Sequence, residues 1–449
     1  MTKTLKQKIF HSGSWAVFGH LLSSGLRLGG NLILTRLLVP EMFGVMAIVS
    51  VVIAGISMFS DLGILQNIIQ SKRSNENVFI ETAWTIQVLR GVFIFLVLVA
   101  LSVLLHYLNM DSVFTEGSVY ATPQLPWILS AMSITALFSG FNSVNLAILN
   151  RELRLKEITL IEVISQVLGL VTMIVLAFLY SNIWGLVVGS ITTSFVKMIL
   201  SHLPAFGNKS RFRWEQNSVK EIIKFGKWIF GSSIFTFLVG QGDRLLLGNL
   251  ISPEELGVYN IAFFLAMSFK DVIRKVMASV FYPVLSEVVR DRPNDLKKIY
   301  YQIRTKVDVL VMIVVGLLAS SGHLIINLLY DERYYNAGWM LEVLALSTIF
   351  LGTTMAGVCL LALGDARAIM KLTSTSAIFL FISVPISFNY FGMQGAVVAI
   401  AVNSIVEIPL IFYMMSRYKL LNLIKEFRFF PLFFLIYFSS KCSLLYFGV

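Results

Sequence analysis

Eight basic residues interrupt long apolar runs in this chain: Arg27, Arg90, Lys197, Arg244, Lys270, Arg274, Lys275 and Lys441. A basic residue at the centre of a membrane helix costs about 2.5–3.5 kcal/mol on insertion scales, so several of them call for a purpose. Cations held away from water bind anionic oxygens, and arginine's planar fork suits phosphate. Lys270 and Arg274 stand four residues apart and share one helix face. Arg27 and Arg244 lie mid-run, and Gly25 and Gly29 flank Arg27 at a spacing that permits close helix approach. Asp243 adjoins Arg244, either as a second polar group of the same site or as an internal ion partner. Arg90, Lys197, Lys275 and Lys441 fall near run ends, where long side chains reach the headgroups.

Two acids complete the set. Glu407 stands two residues before Pro409, where a kink opens a helix to water. A carboxyl there can take up and release a coupling proton. Asp61 has the same capacity, or serves the end of its helix. No Walker A, GxSxG, HExxH or CxxC pattern occurs, and His11, His20, His106, His202 and His323 are never paired at ligand spacing. No catalytic residue, metal site or cofactor is therefore expected, and the chain is read as a non-enzyme.

The elements that carry these charges are membrane helices. Of 449 residues, 57% are hydrophobic and 14% charged, with a mean hydropathy of +0.79. An ordinary soluble domain is roughly 25% charged. Helical spans of about 20 residues are expected over 12–35, 42–65, 82–106, 125–149, 158–180, 183–203, 222–250, 256–282, 307–329, 338–363, 369–389, 394–416 and 428–447. Lysine and arginine crowd alternate loops, whereas the intervening ones offer only Arg36 and Arg333. The rich loops, with the N-terminus, are placed in the cytoplasm. The net charge of +11 reflects this bias, so no nucleic-acid partner is expected. The loop Ser286 to Lys306 is expected to form an amphipathic surface helix. Tyr330, Tyr334, Tyr335 and Trp339 read as an interfacial aromatic belt.

The chain also repeats itself. Gly13, Trp15, Leu37, Pro40, Glu41, Gly44 and Val45 recur 213 positions later as Gly226, Trp228, Leu250, Pro253, Glu254, Gly257 and Val258. An even number of spans separates the copies, so both halves run in the same direction. The expected fold is an all-α polytopic membrane protein of two parallel six-helix lobes around a central cavity. Residues 1–203 form the first lobe, 204–221 a basic cytoplasmic linker, 222–416 the second lobe, and 417–449 an extra C-terminal span.

Several stretches resemble bacterial polysaccharide exporters of the colanic-acid type, in the multidrug/oligosaccharidyl-lipid/polysaccharide superfamily. They are Ser60-Asp61-Leu62-Gly63-Ile64 with Ile68-Ile69-Gln70, Gly257-Val-Tyr259-Asn260-Ile-Ala262, and Phe281-Tyr282-Pro283. The resemblance implies a flippase that carries a polyprenyl-pyrophosphate-linked oligosaccharide to the outer leaflet of the bacterial inner membrane by alternating access. It implies glycan polymerase or chain-length proteins of the same pathway as partners, besides membrane lipids. Family members carry a fourteenth span, so the last segment reads as truncated or interfacial. On this reading Arg27, Arg244, Lys270, Arg274 and Asp243 bind pyrophosphate and sugar, and Glu407 and Asp61 are the candidates for ion coupling. The rivals are a cation-coupled multidrug exporter of the same superfamily, a membrane glycan polymerase or ligase, and a non-transporting assembly factor. The drug exporter calls for mid-lobe acids, but bases outnumber acids within the spans.

Overall fold

A backbone in lipid must satisfy its own hydrogen bonds, and an unbroken apolar run does so as a helix. The computed structural model describes residues 2–71, 73, 76–203, 211–277 and 281–446, and every regular element among them is helical. Lys72, Lys209 and the linker stretch 204–210 lie outside the described residues. The chain forms two compact units, Met1–Phe237 with Ile251–Glu254, and Leu238–Leu250 with Glu255–Val449.

Unit 1 holds α1 (Thr2–Leu37), α2 (Pro40–Phe59), α3 (Ile64–Gln70) and α4 (Asn77–Met110). It continues through α5 (Leu125–Met132), α6 (Ile134–Phe141), α7 (Asn145–Arg151), α8 (Leu155–Tyr180) and α9 (Trp184–Ser201). The first part of α10 (Gln216–Leu250) also belongs to it. Helix α8 packs on α1 and α9, and α4 packs on α5 and α6. The α4–α6 approach is closest at Gly91 and Gly140, where a Cβ on either would lie 2.6 Å from the other's Cα. Only glycine fits that crossing.

Unit 2 takes the end of α10, then α11 (Pro253–Val276), α12 (Tyr282–Asp291) and α13 (Leu296–Leu329). There follow α14 (Ala337–Leu346), α15 (Leu351–Ala362), α16 (Ala366–Val406), α17 (Ile408–Arg417), α18 (Leu423–Phe427) and α19 (Phe430–Tyr446). Its core gathers Leu285 of α12, Tyr300, Val311 and Val315 of α13, and Met355 of α15, all fully buried. Helix α19 lies along α13, with Ser320 Oγ 2.9 Å from Ser440 Oγ.

The repeat is visible in the helix boundaries. Helices α1 and α10 end at Leu37 and Leu250, and α2 and α11 open at Pro40 and Pro253. Proline suits a first helical turn because its missing N–H would have no partner there. Among the described residues each unit also has a sharply bent helix pair: 58° between Leu125–Phe141 and Asn145–Arg151, and 47° between Ala337–Leu346 and Leu351–Ala362.

Seven helices among the described residues are long and apolar enough to cross a membrane, and nine if each bent pair is one span. One of the seven stretches, Ala368–Arg417, contains two of the expected spans joined end to end. The joint is Gly392, whose φ of 60° and ψ of −147° break the helix without a loop; glycine alone adopts that conformation readily.

Three local expectations are corrected. Ser286 to Lys306 is not one surface helix: α12 stops at Asp291, and α13 begins at Leu296 and continues through Lys306. Tyr330 and Tyr334 are buried against each other, so only Tyr335 of the tyrosines there is exposed. A Cβ on Gly25 or Gly29 would meet no atom within 4 Å, so neither marks a close helix approach.

Candidate functional site

The second unit gathers five of the charged residues singled out from the sequence. Asp243 and Arg244 sit on α10, and the face of α11 beside them carries Tyr259, Phe263, Lys270 and Arg274 at helical spacing. Neighbours on a helix point about 100° apart, and the two α10 charges accordingly take different partners. Asp243, 3% exposed, accepts a 2.6 Å hydrogen bond from the fully buried Tyr259 hydroxyl. Its other oxygen, Oδ1, is buried with no hydrogen-bond partner among the described residues. Arg244 donates from Nη1 to Gln241 Oε1 at 2.8 Å and lies over the Phe263 ring, 4.4 Å from its centroid. Such a cation–π contact contributes about 0.5–2 kcal/mol. Arg244 Nε has no hydrogen-bond partner among the described residues. The Asp243–Arg244 ion pair considered above is therefore not how either charge is satisfied.

Farther along the same face, Lys270 interacts electrostatically with Arg274, Glu407, Asp271 and Asp243. Glu407 occupies the junction of α16 and α17 and accepts a 2.6 Å hydrogen bond from Ser376 Oγ. It feels both Lys270 and Arg274. The arrangement thus combines three cations with three carboxylates, Asp243, Asp271 and Glu407, and leaves an acceptor oxygen and a guanidinium N–H unpaired. Such groups can hold an anionic, hydroxyl-bearing ligand, since a buried polar atom without a partner gains most from one.

The other two residues are placed differently. Arg27 on α1 is exposed, and its hydrogen bond among the described residues goes to Ser24 Oγ one turn back, at 3.3 Å. Asp61 closes the turn after α2: its Oδ1 accepts from the Gly63 N–H at 3.0 Å and lies 3.7 Å from Arg90 Nη1.

Sequence reasoning missed three groups. Arg90 does not reach outward but folds back on α2, donating to the Ser57 carbonyl at 2.6 Å and to Ser60 Oγ at 3.2 Å. Arg304, within the expected surface loop Ser286 to Lys306, is 1% exposed and joins Asp308, Glu426, Tyr300 and Thr353. The i, i+4 spacing of Arg304 and Asp308 was the one available signal. The third group lies outside the spans. Arg73 meets Glu76 at 2.8 Å and Glu215 at 2.9 Å, and Ser71 Oγ donates to Glu221 at 2.9 Å. The Ser218 hydroxyl, and after it Arg73, hold the Glu215 carboxyl below its ordinary range. These contacts fasten the start of α10 to the loop between α3 and α4.

Comparison with known proteins places this geometry in context. Residues 33–338 match a family described as "Polysaccharide biosynthesis protein". Among curated proteins, the chain is 22% identical over 345 residues to the lipopolysaccharide biosynthesis protein WzxC of Escherichia coli, covering 76% of this chain and 67% of that one. It is 24% identical over 352 residues to the succinoglycan biosynthesis transport protein ExoT of Rhizobium meliloti, covering 77% and 68%. Among solved structures, an inward-facing multidrug resistance MATE family transporter aligns with a TM-score of 0.63 at 15% identity, covering 90% of this chain and 95% of that one. The lipid II flippase MurJ aligns with a TM-score of 0.61 at 14% identity, covering 99% and 98%. At these identities the structural likeness establishes the fold, a polytopic bundle of membrane helices.

Proposed function

The chain belongs to the polysaccharide biosynthesis protein family, and from that premise we propose that it is a transporter that flips a lipid-linked oligosaccharide, joined through pyrophosphate to a polyprenyl chain, from the inner to the outer leaflet of a bacterial cytoplasmic membrane. The observation that carries this reading is that one unit holds Arg244 beside Tyr259 and Asp243, and Lys270 and Arg274 interacting with Asp243, Asp271 and Glu407. A pyrophosphate crossing a bilayer needs fixed cations, because an unpaired charge in hydrocarbon is costly. Sugar hydroxyls need acceptors, and Asp243 Oδ1 offers one. WzxC is a lipopolysaccharide biosynthesis protein and ExoT a succinoglycan biosynthesis transport protein, and glycan export is the function that unites these relatives with a site rich in cations.

In this reading, residues 1–203 and 222–416 act as the two lobes of an alternating-access carrier with a cytoplasmic N-terminus. Arg244 takes the pyrophosphate, and Lys270 and Arg274 hold it along α11. Glu407, hydrogen-bonded to Ser376 and coupled to Lys270, is the better placed of the two acids to exchange a coupling proton. Asp61 serves its turn instead.

The test is translocation of a fluorescent polyprenyl-pyrophosphate oligosaccharide in proteoliposomes. The intact chain should transport it, and Arg244→Ala and Lys270→Ala, inserted at normal levels, should lower the rate about 10- to 100-fold through loss of a charge-assisted bond. Unchanged rates in both would remove the site assignment. Export of organic cations without any glycan transport would move the protein to the multidrug class.

A further inference from the structure

The first unit contains a cavity of about 270 Å³ that the proposed transport site does not use. The break between α6 and α7 opens it: where the span bends, the Gly140 and Asn142 carbonyls lose their helical partners, and Gln87 Nε2 takes both, at 3.1 and 2.7 Å. Arg90 and Lys197 line the cavity, together with Gln87, Ser139, Asn142 and Ser143. Each cation pairs with a carboxylate, Asp61 at 3.7 Å from Arg90 and Glu162 at 3.3 Å from Lys197. Neither carboxylate is among the lining residues, so the charged residues of the lining are both cations.

Arg90 uses Nε on Ser60 Oγ and one Nη2 hydrogen on the Ser57 carbonyl. A guanidinium has five N–H donors, so donors remain for an anion. Asn142 Oδ1, in the same wall, is buried without a hydrogen-bond partner among the described residues. It is suited to accept from a ligand hydroxyl. The Ser139 hydroxyl can serve either role, whereas Ser143 Oγ already accepts from the Asn145 N–H at 3.2 Å.

We infer that this cavity is a second anion site, which takes a phosphate group with hydroxyls beside it. That chemistry is shared by a sugar phosphate and by the head of a hydroxylated phospholipid. Phosphate takes Arg90 and Lys197, and the hydroxyls take Asn142 and Ser139. The site lies wholly within one unit and is independent of the glycan-transport reading.

The experiment uses the full chain in nanodiscs, with Arg244→Ala and Lys270→Ala introduced so that the proposed transport site does not contribute. Glucose 1-phosphate is titrated in pure phosphatidylcholine, and native mass spectrometry scores retained phosphatidylglycerol in mixed discs. Saturable glucose 1-phosphate binding, weakened about 10- to 100-fold by Lys197→Ala, assigns the site to a soluble phosphate. Retention of phosphatidylglycerol that is lost in Lys197→Ala assigns it to a lipid head, and supports the inference equally. Arg90→Gln should weaken either ligand too; because Arg90 also braces α2, Lys197→Ala is the variant that decides. Failure to hold either anion, or equal binding with and without Lys197, overturns the inference. Transport of lipid-linked glycan in the chain without these two substitutions is scored separately, so either reading can fail alone.

Discussion

Replacing Arg304 by Met should loosen the C-terminal helices of unit 2 far more than a surface substitution would. The Arg304 side chain is 2% exposed, and its ionic partners Asp308 and Glu426 are 7% and 1% exposed. Nε meets Asp308 Oδ2 at 3.0 Å, Nη1 donates to Glu426 Oε2 and, at 3.2 Å, to the Tyr300 hydroxyl, and Nη2 reaches Thr353 Oγ1 at 3.0 Å. All four are donated by the charged guanidinium, and hydrogen bonds of a charged group contribute about 1.5–3 kcal/mol each. Removing one partner of a buried ion pair costs about 3–5 kcal/mol, most of it from the charge left behind. Glu426 belongs to α18, so the loss should appear as opening of α18 and the Asn422 turn, where the Tyr301 hydroxyl also accepts from the Asn422 N–H at 2.9 Å. About 3 kcal/mol corresponds to roughly 10²-fold faster amide exchange there. Hydrogen-exchange mass spectrometry in detergent reads this directly. Adding Asp308→Asn and Glu426→Gln to Arg304→Met should restore most of the protection, because no buried charge is then left unpaired. Wild-type exchange over 420–428 in Arg304→Met alone would refute the reasoning.

Two other perturbations bear on the first unit. Gly91→Ala drives a methyl to 2.6 Å from Gly140 Cα; backbone cannot yield as a side chain does, so the melting temperature should fall by an amount equivalent to about 1–3 kcal/mol, measurable by scanning fluorimetry against Gly25→Ala, which meets nothing. The Glu215 carboxyl lies below its ordinary range when its contacts with Ser218 and Arg73 are formed. Its contribution is therefore complete above the unfolded value of about 4.3 and is lost as pH falls through the lower folded value. Proteolysis of residues 211–221 should accelerate on acidification below that value in the wild type and lose this dependence in Glu215→Gln; identical pH profiles would refute the latch.

Much of the helical layout was legible because hydropathy is a property of consecutive residues. Spans placed over 158–180 and 183–203 correspond to Leu155–Tyr180 and Trp184–Ser201. The proline-headed repeat was legible too, since a helix start needs only a few neighbouring residues. Junctions were harder. Gly392 breaks a helix by its backbone conformation alone, with no polar stretch to announce it, and the bend after Phe141 leaves the hydropathy unchanged.

The charges divide along the same line. Sequence alone determined that cations stand where lipid should exclude them, that Lys270 and Arg274 share a helix face, and that the chain is a multi-span membrane protein. Tertiary structure decided the partner of each charge: Tyr259 for Asp243, Phe263 for Arg244, Ser376 for Glu407, and Glu426, 122 positions away, for Arg304. The physical reason is the rotation of each helix about its axis. An apolar run in lipid is apolar on every side, so periodicity cannot say which face turns inward. Only packing against distant helices selects the face, and with it whether a cation meets lipid headgroups, a carboxylate or an open cavity.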